Sequence, residues 1–357
     1  MIRVLIAEGS PATRDLFIRL LRVETGFDVV GVVDDGEAAV AYVGRLHPDV
    51  ILMDIHLPRL DGIGATRRIM SEMPTPIVLI GSSTERTEAR HTFDALRAGA
   101  LTVVDSPPDP SDATHVQVAQ EFLQTVRLMA DVKVVRRRQR VYASSPSSTA
   151  TSPPCGERGD DVRPALIAIA ASTGGPEAIR TLLRSLGRDV GIPILIVQHM
   201  SPGFLGGLVD WLTENCPQPV QIATQGVELR GGIVYLAPDA CHLMTSRHGT
   251  VVLSDAPPMG QYRPSADVLF QSVAESYQAK AVGVILTGMG DDGVAGLRHM
   301  RDVGAMTIAQ DGTTSAVYGM PQAAAIQGSA GRVLPLAAIG PTIRRALGLP
   351  TYPRSHD

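Results

Sequence analysis

Three apolar segments in the second half of the chain each lead into a side chain that can take part in nucleophilic catalysis. Ser172 follows the first segment and His199 the second, while the third runs into a glycine-rich turn that carries Asp291 and Asp292. A serine, a histidine and a carboxylate are the groups that act as nucleophile, general base and imidazole-orienting acid in serine hydrolases. The pattern therefore predicts hydrolysis through a covalent serine intermediate.

The residues after Ser172 favour a corner between a strand and a helix. Pro176 suits the first turn of a helix, and Glu177 complements the positive end of the helix dipole. Gly174 and Gly175 allow close approach of a ligand, and the N–H groups of the helix start could stabilise an oxyanion. The alternative is that Ser172 only caps the helix, which is the commoner role of a single serine in this position.

Other nucleophiles are less favoured. Cys241 and His242 are neighbours in a predicted extended segment, so their side chains would point to opposite faces. Cys216 precedes a proline and resembles a packing residue, and the third cysteine, Cys155, forms no CxxC pair with either. This usage predicts neither a disulfide framework nor a zinc site. Ala170 replaces the first glycine of a GxSxG elbow, which indicates a hydrolase unlike the α/β-hydrolases.

Short apolar segments that alternate with helical patterns position these side chains. In the C-terminal half we predict strands at Ala165–Ala170, Pro193–Gln198, Gly232–Ala237, Val251–Ser254, Val282–Leu286 and Met306–Gln310. In the N-terminal half we predict strands at Arg3–Ala7, Asp28–Val33, Val50–Met53, Ile77–Ile80 and Leu101–Val104, followed by a helix at Ala113–Val135. Strands that are apolar throughout indicate parallel sheets covered on both faces, where ligands bind at the carboxyl ends of the strands.

Length and charge narrow the class of protein. A chain of 357 residues fits two domains. Its net charge of -4 gives no support to a nucleic-acid binder, and no segment predicts a signal peptide or membrane insertion. We therefore expect a cytoplasmic protein. The basic run Lys133–Arg140 and the Ser, Thr and Pro residues of Ala143–Gly156 predict a linker between the domains.

The C-terminal half resembles the protein-glutamate methylesterases of bacterial chemotaxis from about Pro164 to Ala346. The motifs that carry the resemblance occur in the family's order, at Ile169–Gly175, Gln198–Met200, Tyr235–Pro238, Arg263–Phe270 and Leu286–Gly293. The resemblance implies a doubly wound, mostly parallel α/β methylesterase domain at residues 162–350. It also implies hydrolysis of glutamate γ-methyl esters on the cytoplasmic domains of chemoreceptors, often together with deamidation of receptor glutamines.

The resemblance also implies residue roles. Ser172 would be the nucleophile and His199 the base, and the family's GMGxDG pattern selects Asp292 as the orienting acid. Thr173 and the backbone N–H of Met289 would support the oxyanion and the histidine. The family needs no cofactor for this catalysis. The resemblance assigns Arg263 no role in a chemical step.

The N-terminal half resembles a two-component receiver with a flavodoxin-like fold and a five-stranded parallel sheet, which we assign to residues 1–128. Residues 129–161 form the linker and 351–357 a tail. Asp54, followed by Leu57–Gly62, falls on the phospho-accepting aspartate. A receiver implies Mg²⁺ as cofactor and a histidine kinase as partner, and in this family the unphosphorylated receiver covers the active site.

The sequence departs from the receiver pattern at each position that assists phosphorylation. The acidic pair is Glu8-Gly9, so Glu8 is the one side chain of the pair that can bind Mg²⁺. Gly81 falls on the hydroxyl position, although Ser82 is next to it, and Ser106 falls on the lysine. We therefore predict a degenerate receiver that is phosphorylated poorly or not at all.

Two other classes of function share features with this sequence. One is a non-catalytic signalling adaptor, in which both domains serve as docking surfaces. The second is a response regulator that binds DNA, but no segment after the linker has a helix-turn-helix pattern or a basic face. The complete set of Ser172, His199 and Asp292 favours the enzyme over the adaptor.

Overall fold

The structure is a computed structural model that describes residues 1–81, 98–112, 115–132 and 163–351. Residues outside these ranges include most of the predicted linker with its basic run, most of the predicted tail, Ser82 and Cys155. The predicted domain boundaries at residues 128, 161 and 350 stay predictions.

The N-terminal domain contains a parallel sheet with helices on both faces. Its strands are β1 Ile2–Ala7, β2 Phe27–Val33, β3 Val50–Asp54, β4 Ile77–Gly81 and β5 Thr102–Asp105. Its described helices are α1 Pro11–Val23, α2 Gly36–Leu46, α3 Gly62–Glu72 and α4 His115–Ala130. The strand order β2-β1-β3-β4-β5, parallel throughout, is the flavodoxin-like order and confirms the predicted fold.

Local sequence explains where these helices begin. Ser10, Asp35 and Asp61 are the N-caps of α1, α2 and α3, and each accepts a hydrogen bond from a backbone N–H of the first turn. The helix predicted from residue 113 to 135 occurs between His115 and Ala130. One apolar cluster packs α2 and α3 on the sheet, and another packs α1 and α4 on the opposite face.

The C-terminal domain contains a seven-stranded sheet and a separate two-stranded hairpin. The strands of the large sheet are β6 Leu166–Ala171, β7 Ile194–Gln198, β8 Val220–Ile222, β9 Val234–Leu236, β12 Ala281–Ile285, β13 Met306–Gln310 and β14 Arg332–Leu334. Their order is β14-β13-β12-β6-β7-β9-β8, and every pairing is parallel. This confirms the predicted mostly parallel, doubly wound domain.

The predicted strand at residues 251–254 belongs to the hairpin rather than to the large sheet. As β11 (Val251–Ser254) it pairs antiparallel with β10 (His242–Thr245). The sequence predicts neither β8 nor β14, and of β10 it predicts only an extended segment at Cys241 and His242. These strands have only three or four residues, too few for a hydrophobic period to emerge.

Helices cover both faces of the large sheet. They are α5 Gly175–Leu186, α6 Leu205–Asn215, α7 Ala266–Tyr277, α8 Val294–Asp302, α9 Met320–Ile326 and α10 Leu336–Ala346, and a 3₁₀ turn follows α7 at Gln278–Lys280. One apolar cluster packs α5, α6 and α10 on the sheet, and the other packs α7, α8 and α9 on the opposite face together with the hairpin.

The strand order places a topological switch point at the centre of the large sheet. From β6 the chain moves outward to β7, then returns across the sheet to place β12 on the other side of β6. In open α/β sheets the crevice at the carboxyl ends of the strands beside such a point binds ligands. The loops after β6, β7 and β12 therefore line the expected site.

A buried arginine ties the last helix to the rest of this domain. Arg344 on α10 is fully buried, and its guanidinium binds both carboxylate oxygens of Asp189, at 2.6 and 2.8 Å. The same group donates to the carbonyl oxygens of Leu186 and Pro350. The guanidinium thus supplies a hydrogen-bond donor to one carbonyl at the end of α5 and to another near the C-terminal end of the described chain.

Replacing Arg344 with methionine should lower the free energy of unfolding of this domain by about 2–3 kcal/mol, because buried carbonyl groups lose their donors. Trp211, the one tryptophan of the sequence, lies in α6 and reports on this domain by fluorescence during urea unfolding. The matched control is Arg345→Met at the exposed neighbouring position, expected to change stability by less than about 0.5 kcal/mol. Equal midpoints for the two variants would contradict this role.

Candidate functional site

The three side chains that the sequence singled out follow adjacent strands of the large sheet. Ser172 comes directly after β6 and His199 directly after β7, while Asp292 lies in the loop between β12 and α8. Backbone hydrogen bonds join these strand ends: the N–H of His199 donates to the carbonyl of Ala171, and the N–H of Ser172 donates to the carbonyl of Thr287. The structure thus brings all three segments to one edge of the sheet.

Asp292 is buried and accepts hydrogen bonds from the start of α7. The hydroxyl of Ser265 donates to Oδ1 at 2.7 Å, and the N–H of Ala266 donates to Oδ2 at 2.7 Å. The N–H of Asp267 donates to Oδ1 at 3.2 Å. The carboxylate therefore lies at the positive end of the helix dipole, where N–H groups face a negative charge.

The ionisation state of Asp292 follows from this setting. Burial would raise its pKa, but the neighbouring His199 ring and the hydrogen bonds from Ala266 and Ser265 outweigh burial, so the pKa lies below its ordinary value. Asp292 is thus a carboxylate at neutral pH, able to orient an imidazole and to stabilise the imidazolium form.

The two ring nitrogens of His199 have different surroundings. Nε2 lies 2.8 Å from Oδ2 of Asp292. Neither ring nitrogen makes a hydrogen bond of regular geometry within the part of the chain that the structure describes, so Nδ1 is not hydrogen-bonded to Oγ of Ser172. In a catalytic triad the nitrogen that does not face the carboxylate takes the proton of the serine, so Nδ1 is the candidate base atom.

Ser172 lies at the corner between β6 and α5. The helix begins at Gly175 with Gly174 as N-cap, and no side chain caps it, so Ser172 is not the helix cap that the alternative interpretation required. Gly288, from the loop after β12, approaches closely: a Cβ at that position would lie 2.7 Å from Cβ of Ser172. A larger residue at 288 would therefore displace the serine.

The two predicted supporting residues lie on either side of this corner. The carbonyl of Thr173 accepts a hydrogen bond from the hydroxyl of Thr287 at 2.9 Å, which fixes the backbone after Ser172. Met289 is half-buried, and its side chain packs against the N-terminal apolar cluster of α1 and α4. The loop that carries Asp292 is therefore in contact with the first domain.

Gln198 is a residue of the site to which the sequence analysis gave no role. Its buried amide nitrogen donates to the carbonyl of Ser172 at 2.8 Å and to the carbonyl of His199 at 2.7 Å. One side chain thus links the backbone of the two predicted reacting residues. A polar residue that ends an otherwise apolar strand was the available signal.

His242 supports the site from a distance. The backbone N–H of Ser265 donates to Nδ1 of His242 at 3.1 Å, and Nε2 lies 3.1 Å from the carbonyl oxygen of Pro257. Because Nδ1 accepts, the ring carries its proton on Nε2. His242 therefore fixes the segment that binds Asp292. The sequence analysis weighed it only as a partner for Cys241, since the contact with Ser265 joins positions 23 residues apart.

A second group of polar residues lies at the carboxyl edge of the N-terminal sheet. Asp54 ends β3, Glu8 follows β1, Gly81 ends β4 and Ser106 follows β5. Burial raises the pKa of Glu8 to about 7, the hydrogen bond from the N–H of Ser10 opposes this, and the charge of Asp54 and a hydrogen bond with it raise the pKa further. A pKa near 7 leaves Glu8 partly protonated at neutral pH, and the protonated form can donate a hydrogen bond to Asp54.

This arrangement is a poor site for Mg²⁺. The ion takes six oxygen ligands in octahedral geometry, of which one or two are protein carboxylates and several are waters. Gly9 supplies no side-chain oxygen. Oε1 of Glu8 accepts a hydrogen bond from the N–H of Ser10 at 2.8 Å, and a hydrogen bond with Asp54 also engages the Glu8 carboxyl group. Glu8 is therefore only partly ionised at neutral pH and one of its oxygens already accepts a backbone N–H, which weakens it as a ligand for the cation.

Family models match both halves of the chain. The model described as CheB methylesterase matches residues 167–343, and the model described as response regulator receiver domain matches residues 4–116. The solved catalytic domain of the CheB methylesterase from Thermotoga maritima is 34% identical, with a TM-score of 0.50, and the alignment covers 52% of this chain and 99% of that domain. The chain is therefore a hydrolase domain joined to a receiver domain.

Relatives match nearly the whole length. The protein-glutamate methylesterase/protein-glutamine glutaminase 4 of Geobacter metallireducens is 43% identical over 94% of this chain and 96% of its own. A relative of the same description, numbered 1, from Syntrophus aciditrophicus is 42% identical over 98% and 99%. The chain belongs to the CheB methylesterase family, as the resemblance predicted, and it is an enzyme. Among the helices of the described ranges, none combines the length and apolarity needed to cross a bilayer.

Replacing Glu8 with glutamine should stabilise the N-terminal domain at pH 8 and not at pH 4. Below pH 4.5 Glu8 is protonated in both folded and unfolded chains. Between pH 4.5 and about 7 the unfolded chain releases the proton while the folded chain keeps it, so the folded state loses stability, and above pH 7 the loss is complete. Glutamine keeps a donor towards Asp54 without titrating.

We expect a gain of roughly 2–3 kcal/mol at pH 8, measured by hydrogen exchange of the β1 amides against wild type at the same pH. The control is Glu37→Gln on the exposed face of α2, which should give the same small change at both pH values. A gain that is equal at pH 4 and pH 8 would show that the pKa of Glu8 is the same in the folded and unfolded chains, contrary to this prediction.

Proposed function

We propose that this enzyme hydrolyses glutamate γ-methyl esters on the cytoplasmic domains of chemoreceptors, with Ser172, His199 and Asp292 as its catalytic triad. The observation that carries the proposal is the 2.8 Å contact between Nε2 of His199 and an ionised, buried Asp292. The names of the relatives from Geobacter and Syntrophus support the reaction.

In the first half of the reaction Ser172 attacks the ester carbonyl. The Oγ proton passes to Nδ1 of His199 as the new carbon–oxygen bond forms, and Asp292 stabilises the imidazolium. Collapse of the tetrahedral intermediate breaks the bond to the methoxy group, which takes the proton from Nδ1 and leaves as methanol. A glutamyl ester of Ser172 remains.

In the second half a water molecule replaces the alcohol. Nδ1 of His199 accepts a proton from the water, the hydroxide attacks the acyl-enzyme, and Ser172 leaves with that proton. The product is a receptor glutamate. Hydrolysis of a receptor glutamine follows the same steps with ammonia in place of methanol, which the glutaminase part of the relatives' names supports.

The negative charge on the carbonyl oxygen requires donors near Ser172. We assign this support to the backbone around Thr173 and to the N–H of Met289. The hydrogen bond between the hydroxyl of Thr287 and the carbonyl of Thr173 supports the assignment, because it holds the first of these segments in place.

Full-length protein incubated with methyl-labelled receptor membranes should release methanol, and Ser172→Ala should lower kcat by on the order of 10⁶. The control is Ser276→Ala, which removes a serine hydroxyl near the opposite end of α7 from Asp292 and should keep full activity. Equal activity of wild type and Ser172→Ala would refute the triad. If neither protein acts but both bind the receptor, the adaptor is the correct function.

The receiver domain should be a poor phosphoacceptor even with a histidine kinase as its partner. Phosphoryl transfer depends on a cation and on positioned donors that neutralise the transferred group. Gly9, Gly81 and Ser106 replace a metal ligand, the hydroxyl and the lysine, and burial raises the pKa of Glu8 to about 7. Regulation would then rest on contacts between the domains, such as the packing of Met289 against the N-terminal cluster.

With Mg²⁺ and a small phosphodonor, wild type should acquire far less than one acyl phosphate per chain. A Cβ added at Gly9 would lie 3.8 Å from Oδ2 of Asp54, an ordinary contact, so the backbone leaves room for the Cβ of Gly9→Asp. The double variant Gly9→Asp, Ser106→Lys should gain phosphorylation, and Asp54→Ala should abolish it. Stoichiometric labelling of Asp54 in wild type, with a matching rise in esterase rate, would overturn this proposal.

A further inference from the structure

An aromatic ring lies flat on the predicted catalytic histidine. The rings of Tyr262 and His199 are stacked with their centroids 4.3 Å apart and their planes 14° from parallel. His199 keeps only 10% of its side chain exposed. Tyr262 therefore covers one face of the imidazole, and neither the triad chemistry nor the relatives' names assign it a role.

A tight turn presents this ring. The backbone N–H of Met259 donates to the carbonyl of Tyr262 at 3.1 Å, and the N–H of Tyr262 donates to the carbonyl of Met259 at 3.1 Å. Gly260 between them has φ of 62°. Two reciprocal hydrogen bonds fix the direction in which Tyr262 leaves the turn, so its position on the histidine is not that of a loosely held side chain.

The turn is continuous with the segment that holds Asp292. Three residues after Tyr262 comes Ser265, whose hydroxyl binds Asp292 and whose N–H is fixed by His242. A single stretch of chain therefore orients the carboxylate and covers the imidazole that the carboxylate binds. A displacement of this segment would move both contacts of His199 together.

The other end of the tyrosine ring lies over the loop after β12. A Cβ placed at Gly290 would lie 2.7 Å from the Tyr262 hydroxyl oxygen, so this position leaves room only for glycine while the stack is in place. The hydroxyl accepts a hydrogen bond from the side-chain amide of the exposed Gln261 at 3.1 Å. The ring face contacts the histidine, whereas the hydroxyl group lies away from it.

We propose that Tyr262 is a positioning residue for the hydrolytic reaction: its ring holds the His199 imidazole in the plane that directs Nδ1 to Ser172. The inference rests on the function proposed above. When the Oγ proton of Ser172 moves to Nδ1, the imidazole becomes a cation against the negative face of an aromatic ring, which stabilises it. The stack thus acts in the step that creates the imidazolium.

Removing the ring should lower kcat and leave KM unchanged. We expect Tyr262→Ala to lose about two- to thirtyfold in kcat for methanol release, the range of a cation–aromatic contact. Tyr262→Phe keeps the ring face and loses only the hydroxyl, so it should retain activity within about twofold. Gln261→Ala is the matched control on the same turn, because it removes the partner of that hydroxyl and nothing from the stack.

Two further measurements do not depend on the receptor substrate. The rate at which a fluorophosphonate labels Ser172 reports how far His199 activates the serine, and it should fall in Tyr262→Ala by the same factor as kcat and not in Tyr262→Phe. In NMR spectra the ring protons of His199 should be shifted upfield by the stacked ring in wild type and in Tyr262→Phe, and this shift should disappear in Tyr262→Ala.

The outcomes separate this proposal from the proposed function. If wild type releases no methanol but the fluorophosphonate labels Ser172, the receptor substrate is wrong, and the labelling rates still test Tyr262. If Tyr262→Ala raises KM with unchanged kcat and labelling rate, or if Tyr262→Phe is as impaired as Tyr262→Ala, the positioning role is overturned. Absence of labelling in wild type would overturn both proposals.

Discussion

The buried carboxylate of Asp292 is the constraint on which the rest of the catalytic domain depends. A charge held 4% exposed costs several kcal/mol unless donors replace the water it has lost. Here the replacement comes from the first turn of α7 and from Ser265, and the imidazole of His199 completes it. The carboxylate can fill this position only if the loop after β12 and the start of α7 meet at the sheet edge.

The support for Asp292 extends outward through a few buried polar contacts. His242 binds the backbone of Ser265 from the hairpin, and Tyr262, three residues earlier, stacks on His199. Gln198 joins the carbonyls of the two other strand ends. Each contact replaces water with a fixed protein group, so the site is oriented before a substrate binds, which is the condition for electrostatic stabilisation of charge that develops during reaction.

The part of this arrangement that the sequence could predict is the part encoded locally. β6 and β12 are apolar throughout because both of their faces are covered, so the strands and the residues that follow them could be read from the chain. The roles of His242 and Tyr262 could not be predicted in this way. Their partners lie 23 and 63 positions away in the chain, and no hydrophobic period or motif spacing indicates these contacts. The choice of Asp292 over Asp291 also needed the family's pattern, whereas in the fold Asp292 is buried and Asp291 is exposed.

Two carboxyl groups at equivalent edges of parallel sheets have pKa values shifted in opposite directions in this molecule, and the number of hydrogen-bond donors around each explains the difference. Glu8 and Asp292 are almost equally buried, at 5% and 4% exposed. Asp292 has two backbone N–H groups, a hydroxyl and an imidazole around it, whereas Glu8 has one backbone N–H and the like charge of Asp54. Burial alone therefore does not set the charge. The catalytic edge stabilises an anion, whereas at the receiver edge burial and the charge of Asp54 favour the protonated form of Glu8.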